Sequence, residues 1–414
     1  MKEHKTVTIL KLFPLFLIIA IDSMGLGILF PILSDLLINH HANFLPAYSS
    51  DFTRELLYGV TIGVYMIAWF FGSAILGDLS DGLGRKKSLL ICLLGAAIGY
   101  CISAVGIVFH SLIFLIVGRV IAGFTAGSQP IAQAAIVDVS SDETRARNIG
   151  YVLLAVSIGF VLGPIAGGVL SDSHIISWFN YATPLYFAGI LSLINCVLLL
   201  LTFQETFTKT HPVKIRLHYA IQIFIDAFKS KRIRMLSIVL LIENAAWSEY
   251  FTFISQLLLR RFNYSVQEVS IFIAVLAIGF SIGFGLLVDP VAKRFNLKKT
   301  VRVNMLITSG LCLITATTYC APIIWISAVL IGMSASLVYS LLITIFSNQV
   351  SKEEQGWVMG ITNSVGALSF GVTSLISGFA ADWSPAFPIY LGFFGFALAA
   401  IMLKFTHLTK INPV

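Results

Sequence analysis

Four ionisable side chains lie within long apolar stretches of the chain: Asp22, Arg119, Glu243 and Glu249. A charged group at the centre of a bilayer costs roughly 3 kcal/mol on insertion scales, so each is a candidate for a functional role. Buried carboxylates can take up and release protons, and a nearby guanidinium favours the charged form. Asp22 and Arg119 are predicted to lie about 15 Å and 12 Å from the same end of their helices. We expect them to pair, either as a proton-coupling site or as a static ion pair.

Glu243 and Glu249 are predicted to point in directions about 120° apart on one helix. One of them is expected to face a cavity, where it would couple protons or contact a cationic ligand. Other polar and aromatic side chains in apolar stretches are candidate cavity contacts: Tyr65, Trp69, Gln129, Gln133, Asn195, Asn244, Trp247, Tyr339 and Asn363. Each of these could equally serve as a polar contact between helices.

The composition indicates a membrane protein. Hydrophobic residues make up 57% of the 414 positions and charged residues 11%, against about 25% in ordinary soluble proteins. A bilayer core requires about 20 apolar residues per helix. Windows of that kind predict an all-α protein with twelve transmembrane helices, near residues 10–32, 57–77, 88–108, 111–137, 149–171, 183–203, 235–258, 268–288, 301–319, 322–346, 357–380 and 386–406.

The basic residues are distributed very unevenly between the two sides of these spans. Of the 27 Lys and Arg residues, Arg119 lies within a span, and only Arg54, Arg260 and Arg261 fall on the side away from the termini. The positive-inside rule therefore predicts a multi-pass protein of the plasma (inner) membrane with both termini in the cytoplasm. Because topology explains the net charge of +7, no nucleic-acid partner is expected.

One polar connection divides six predicted spans from six. It predicts an N-terminal half at 1–203, a cytoplasmic linker at 204–234 with an amphipathic surface helix over 215–229, and a C-terminal half at 235–414. Residues of the two halves match at a shift of 208 to 210, which indicates an internal duplication: Gly77 with Gly285, Asp81 with Asp289, Gly150 with Gly360 and Asp172 with Asp382. In such two-half architectures a small molecule binds near mid-membrane, between the halves.

The sequence GDLSDGLGRKK joins the second and third spans. Its spacing resembles a motif of the major facilitator superfamily, carried here by Gly77, Asp81, Gly84, Arg85 and Lys86. The glycines permit a tight turn. With Asp138, the charged residues are expected to form a cytoplasmic gate cluster that holds the two halves shut, and a solvated loop that only sets topology is the alternative. The stretch does not fit a nucleotide phosphate-binding loop.

Further motifs extend this resemblance over essentially the whole chain. GRVIAGFTAG, with Arg119, resembles the fourth-span motif of the superfamily, and IDSMGLGILFPIL, with Asp22, resembles the first span of its drug:proton antiporters. GFVLGPIAGGVLSD resembles the fifth-span antiporter motif, whose positions are Gly159, Gly163, Pro164, Gly167 and Gly168. Glycines at four-residue spacing predict a smooth strip for close helix packing. The matching second-half positions are Ser369, Thr373, Ser374 and Ser377.

The resemblance implies a transporter rather than an enzyme. It implies proton-coupled export of drug-like or lipophilic small molecules by alternating access, with the proton carried by Asp22 or a span-seven glutamate. An uptake transporter for an amino acid, nucleoside or siderophore is the main alternative, and a receptor or membrane enzyme is a remote one. Tetracycline antiporters carry further acids in spans three and nine, which are missing here, and this argues against tetracycline itself as the substrate. We expect a monomer without a cofactor, and we expect His40 and His41 to lie in a solvated loop rather than a metal site.

Overall fold

A computed structural model describes residues 9–140, 142–206, 217–350 and 354–406. The described part is helical, and the predicted cytoplasmic termini at 1–8 and 407–414 lie outside it. The first half contains seven helices, which are α1 (Ile9–Ile38), α2 (Asp51–Leu83), α3 (Arg85–Val108), α4 (Leu112–Thr125), α5 (Ser128–Asp138), α6 (Asp142–Leu170) and α7 (Thr183–Thr202). A short 3₁₀ turn, His40–Ala42, lies between α1 and α2.

A connecting helix and seven more helices complete the described chain. They are α8 (Leu217–Lys229), α9 (Arg234–Phe262), α10 (Val266–Ile282), α11 (Val288–Arg294), α12 (Leu297–Thr317), α13 (Ala321–Ser347), α14 (Gln355–Ala380) and α15 (Phe387–Phe405). A π-helical turn, Gly283–Leu287, joins α10 to α11 in one span. We call the end of the bundle that carries Gly84 and Lys293 the basic end, and the end that carries Asp51 and Asn263 the opposite end.

Polar caps at several helix ends locate the span boundaries. Ser50 caps α2 by accepting a hydrogen bond from the backbone N–H of Thr53. At the start of α10, Ser265 and Glu268 form a capping box that satisfies two otherwise unpaired N–H groups. At the end of α9, Asn263 adopts a left-handed conformation with φ of 52°. These caps lie at the opposite end, where the chain turns between spans.

Eleven of the described spans are long and apolar enough to cross a bilayer. The twelfth predicted span is α9, whose 29 residues are long enough but whose acidic and amide side chains lower its hydropathy. Every residue from Ser248 to Leu258 is buried. Protein rather than lipid therefore surrounds this part of α9, which explains how it can carry polar groups at membrane depth.

The sequence GDLSDGLGRKK does not form the loop that its composition predicts. Helix α2 continues to Leu83 and α3 begins at Arg85, so Gly84 alone separates the two helices. Gly84 has φ of 99°, a conformation that is costly for any residue with a Cβ atom. The connection is therefore a sharp helix-to-helix corner.

The fourth predicted span is broken in the middle, between α4 and α5. Pro130 lies in the first turn of α5 and has no N–H with which to continue the ladder from α4. A Cβ atom on Gly72 of α2 would lie 1.9 Å from the carbonyl oxygen of Phe124, so α2 packs directly on the backbone next to the break. The break exposes the first residues of α5 to α1.

Candidate functional site

Asp22 lies on α1 opposite the break in the fourth span. Its side chain is half-buried, and its carboxylate accepts a hydrogen bond from the hydroxyl of Ser128, the first residue of α5. This hydroxyl can donate to the carboxylate or accept from the protonated acid. The side chains of Tyr65 and Tyr100 are close enough to Asp22 to interact with it electrostatically. A carboxyl at membrane depth with a two-way hydrogen-bond partner is a suitable site for proton binding.

The predicted pairing of Asp22 with Arg119 is wrong. Arg119 is buried at 3% exposure, but it forms no ion pair with Asp22. Its guanidinium instead lies over the ring of Tyr65, with the Cζ atom 3.9 Å from the ring centroid. Such a cation–π contact is strengthened by burial, and Nε and Nη1 of Arg119 have no hydrogen-bond partner. The sequence predicted that the two groups lie at a similar depth, but it could not show that the guanidinium of Arg119 packs on the ring of Tyr65.

Glu243 and Glu249 face different neighbours, as their spacing predicts. Asn244 donates a hydrogen bond of 3.1 Å to Oε2 of Glu243, and Tyr339 of α13 lies within electrostatic reach of that carboxylate. Glu249 accepts a hydrogen bond of 2.5 Å from Ser377 of α14. Both acids are buried, at 4% and 5% exposure. Glu249 is thus enclosed between helices of the second half, whereas Glu243 lies closer to the basic end.

Aromatic rings line the junction of the two halves beside these acids. Trp247 stacks on Phe251 with 5.4 Å between ring centroids, and its edge meets Phe280 at 5.0 Å. Phe30 of α1 and Phe160 of α6 reach Phe251 from the first half, at 4.8 Å and 6.5 Å. Among these residues the sequence analysis identified only Trp247, because phenylalanine is too common in the spans to mark a site.

The other candidate cavity residues have varied surroundings. Gln129 and Gln133 are half-buried on α5, and Tyr339 and Asn363 are exposed. Trp69 is half-buried, and its indole N–H has no hydrogen-bond partner. Asn195 is fully buried and donates to the carbonyl oxygen of Pro14, so it joins α7 to α1 instead of facing a cavity.

The gate motif forms a compact charge cluster at the basic end. Arg85 donates hydrogen bonds to Oδ1 of Asp81 at 2.7 Å and to Oδ2 of Asp138 at 3.1 Å, and a third to Ser80 at 2.5 Å. These partners lie on α2 and α5, so the cluster joins three helices of the first half. These contacts lie within the first half, and the role of the cluster in holding the two halves shut stays a prediction. Arg85 is instead the centre of a rigid corner within one half.

Glu205 completes this corner and was not identified from the sequence. It follows α7, and its carboxylate accepts hydrogen bonds from the backbone N–H groups of Arg85 and Lys86, at 2.9 Å and 3.0 Å. It therefore caps α3, whose own cap residue, Gly84, has no side chain. Lys86 donates to the carbonyl oxygen of Leu200 at 2.9 Å. The one sequence signal for this capping role is the negative charge of Glu205 at the start of the linker.

The glycine strip of α6 packs against the backbone of α1. Cβ atoms added to Gly159, Gly163 and Gly167 would lie 2.3, 2.6 and 2.7 Å from the carbonyl oxygens of Ala20, Met24 and Ile28. Pro164 contacts Gly27 in the same seam. A Cβ atom on Gly168 would lie 2.7 Å from Ser270 on α10, so this glycine contacts the other half. The strip thus brings two helix backbones together beside Asp22.

The seam between α2 and α14 is closed at the opposite end and open at the basic end. A Cβ atom on Gly59 would lie 2.3 Å from the carbonyl oxygen of Ser374, and one on Gly63 would lie 2.8 Å from Leu375. The same antiparallel register would bring Gly77 opposite Gly360, yet each of these glycines has open space around it within 4 Å. The close packing of the two helices therefore does not extend to Gly77 and Gly360, and α8 packs against both helices at Phe70 and Ala367.

The described residues contain no cluster of three or more His, Cys, Asp or Glu side chains suited to a metal ion. His40 pairs with Asp51, with 2.7 Å between Nε2 and Oδ1. At the same end, the N–H and the ring of His174 lower the pKa of Asp172 by hydrogen bonding to its carboxylate.

Comparison with known proteins identifies the family. The family model described as Major Facilitator Superfamily matches residues 15–374. The chain belongs to the major facilitator superfamily. It is 29% identical to the class C tetracycline resistance protein of Escherichia coli, over 88% of this chain and 89% of that protein. It is 25% identical to the quinolone resistance protein NorA of Staphylococcus aureus, over 95% of each chain.

Solved structures support the same fold. The human organic anion transporter MFSD10 superimposes with a TM-score of 0.71 at 20% identity, covering 96% of this chain and 100% of that one. The fold is therefore that of major facilitator transporters, with two related helical halves and twelve predicted spans, of which α9 is the least apolar. This membrane fold takes small molecules as substrates.

Proposed function

We propose that this protein exports drug-like or lipophilic small molecules from the cell in exchange for protons, by alternating access. The observation that carries the proposal is the hydrogen bond between the carboxyl of Asp22, at membrane depth, and the hydroxyl of Ser128 at the break in the fourth span, beside the glycine strip. The relatives named for resistance to tetracycline and to quinolones support export over uptake.

The proposed orientation places the basic end in the cytoplasm. The three arginines at the opposite end each have a structural partner within the protein. Arg54 donates to the carbonyl oxygens of Leu37 and Pro46, and Arg261 donates to those of Ala316 and Thr318. Arg260 forms an ion pair with a buried glutamate. The remaining charge asymmetry therefore follows the positive-inside rule, as expected for the inner membrane.

In this proposal the described arrangement opens toward the cytoplasm. The gap between Gly77 and Gly360 supports entry of the substrate from the basic end, and the close contacts at Gly59 and Gly63 support closure at the opposite end. Asp22 would hold a proton while the substrate is absent and release it to the cytoplasm as the substrate binds. Glu243 would be a second acid of the cavity, beside the aromatic rings of Trp247 and Phe280.

The proposal is tested by expressing the chain in a bacterial host that lacks its own drug exporters. We expect tolerance to several unrelated lipophilic compounds to rise, and a protonophore to abolish efflux of a fluorescent one. If tolerance is unchanged while growth on a single nutrient depends on the chain, the protein imports that nutrient and the proposal is wrong.

A further inference from the structure

An ion pair joins the two halves at the opposite end. Glu55 of α2 is fully buried at 0% exposure, and its Oε1 lies 2.7 Å from Nη2 of Arg260 on α9. Among the described residues, neither carboxylate oxygen meets strict hydrogen-bond geometry, although the side chain of Gln256 lies beside the carboxylate. A buried carboxylate held by a single cation depends strongly on that cation. Glu55 was missed by the sequence analysis because it precedes the apolar window of its span.

The surrounding seam is closely packed. Tyr58 of α2 donates a hydrogen bond of 2.6 Å to the carbonyl oxygen of Thr252 on α9. A Cβ atom on Gly378 of α14 would lie 3.0 Å from the carbonyl oxygen of Glu55. Gln256 lies one helical turn before Arg260, and its buried amide has no hydrogen-bond partner. The ion pair is therefore enclosed by α2, α9 and α14 at the point where the two halves meet.

A crevice in the opposite face reaches Arg260 of this pair. Its volume is about 900 Å³, and its lining includes Arg260, Asp51 and His40. Asp51 lies 3.9 Å from Nη2 of Arg260 and pairs with His40, and both of these groups are about half exposed. A proton from the solution on that side can thus approach Glu55 along a row of polar groups.

Within the part of the chain that the structure describes, few other charged groups lie near Glu55. Asp51 lies one turn earlier on α2, and Asp382 follows α14, so both carboxylates oppose the negative charge of Glu55. Arg54, the neighbouring basic residue, donates to loop carbonyl oxygens. Arg260 therefore supplies the nearest positive charge, and His40 reaches the pair only through Asp51.

We propose that Glu55 and Arg260 form a proton-sensitive latch that closes the opposite end. While Glu55 is a carboxylate, its attraction to Arg260 holds α2 against α9. When a proton from the crevice binds Glu55, the neutral acid no longer attracts Arg260, which has Asp51 as an alternative partner. The halves can then separate at this end. The latch deepens the proposed export mechanism, because it assigns the group through which external protons would open the outer side.

The test measures the distance between the two halves at the opposite end. Spin labels are placed at Tyr48→Cys and at the native Cys320, both exposed, after the other four cysteines are replaced by alanine. Double electron–electron resonance is recorded in nanodiscs without substrate. We expect one short distance at pH 8 and a growing long-distance population toward pH 5. Glu55→Gln should show the long-distance population at both pH values.

Arg261→Gln is the matched control. This arginine is the next residue on α9, but its guanidinium bonds to carbonyl oxygens of the second half. We expect Arg261→Gln to behave as the parent protein does, and Arg260→Gln to open as Glu55→Gln does. Arg260→Gln thus provides a second measurement if Glu55→Gln fails to fold.

Two results would overturn the latch. If Glu55→Gln and Arg260→Gln both retain the short distance at pH 8, the pair does not hold the halves together. If Glu55→Gln still responds to pH as the parent does, or His40→Gln alone abolishes the response, the proton acts elsewhere. The distances are measured without substrate or a proton gradient. A failure of the latch is therefore distinguishable from a failure of the proposed export, which is measured by transport.

Discussion

Two helix pairs that the sequence repeat predicts to correspond, α1 with α6 and α9 with α14, are joined by different surfaces. In the first half, Gly159, Gly163 and Gly167 bring α6 directly onto backbone carbonyl groups of α1. In the second half, hydroxyl groups of α14 replace the glycines. Ser369, Thr373 and Ser377 donate hydrogen bonds to α9, at the carbonyl oxygen of Leu241, Oγ of Ser248 and Oε1 of Glu249.

The corners at the basic end differ in the same way. Arg85 is 8% exposed and bonds to three side chains, whereas its counterpart region forms an isolated pair between Lys293 and Asp289. Those two side chains are 72% and 74% exposed. The two halves therefore use different interactions at positions that the sequence repeat predicts to correspond. The first half relies on close backbone packing and a charge cluster around the buried Arg85, and the second relies on distributed hydrogen bonds.

The largest expected difference between the halves is at the corners. Arg85→Gln removes three hydrogen bonds of a buried guanidinium whose carboxylate partners are 54% and 29% exposed, and should destabilise the protein by about 2 kcal/mol. Lys293→Gln should cost less than about 0.5 kcal/mol because its pair is exposed. Thermal unfolding in detergent compares the two variants. Equal shifts in Tm would show that the interactions of Arg85 stabilise the protein no more than the pair of Lys293 with Asp289 does.

The helix seams provide the next comparison. Gly163→Ala places a Cβ atom 2.6 Å from the carbonyl oxygen of Met24, and overpacking of this kind costs about 1–3 kcal/mol. Thr373→Ala removes a hydrogen bond to Ser248 and should cost about 1 kcal/mol. We expect Gly163→Ala also to reduce transport at least several-fold, measured as substrate efflux at equal expression. Full transport by Gly163→Ala would show that transport does not require the close approach of α6 to α1.

Gly84→Ala and Gly285→Ala test the conformation of the corner itself. At Gly84, φ of 99° and a contact of 2.4 Å from the new Cβ atom to Glu205 both oppose alanine. The backbone cost alone is about 1–2 kcal/mol. Gly285 lies in the π-helical turn with open space around it, so its alanine variant should be neutral or slightly stabilising. The Tm values of the two variants distinguish these outcomes, and a neutral Gly84→Ala would show that the corner can relax.

The smallest expected effect concerns two capping glutamates. Glu205→Ala and Glu268→Ala each remove a carboxylate from a helix N-terminus, which costs about 1 kcal/mol. Glu205 caps α3 from a distant segment, whereas Glu268 caps its own helix. Only Glu205→Ala should therefore lower transport as well as Tm. Loss of transport in Glu268→Ala alone would reverse this assignment.

Much of the fold was predictable because the bilayer requires long apolar helices. Apolar windows predicted the all-helical membrane fold, and eleven of the twelve predicted spans are long and apolar enough to cross a bilayer. The motif residues were identified by their resemblance to the superfamily. The different partners of Asp22 and Arg119 were not predictable, because depth along a helix does not fix direction around it. Tyr65 lies under the arginine and Ser128 beside the acid. Glu55 and Glu205 were missed because each lies at a span end, where a charged residue is usually solvated.

Proton exchange by purified protein tests the central claim most directly. The protein is reconstituted in proteoliposomes with an imposed pH gradient and assayed with a panel of lipophilic drugs, including tetracyclines and quinolones. We expect substrate uptake to consume the gradient in the parent protein and in Thr373→Ala. We expect Asp22→Asn to lose gradient-driven uptake while it still exchanges substrate for substrate. Transport that is independent of the gradient in the parent, or gradient-driven transport that persists in Asp22→Asn, would contradict proton coupling through Asp22.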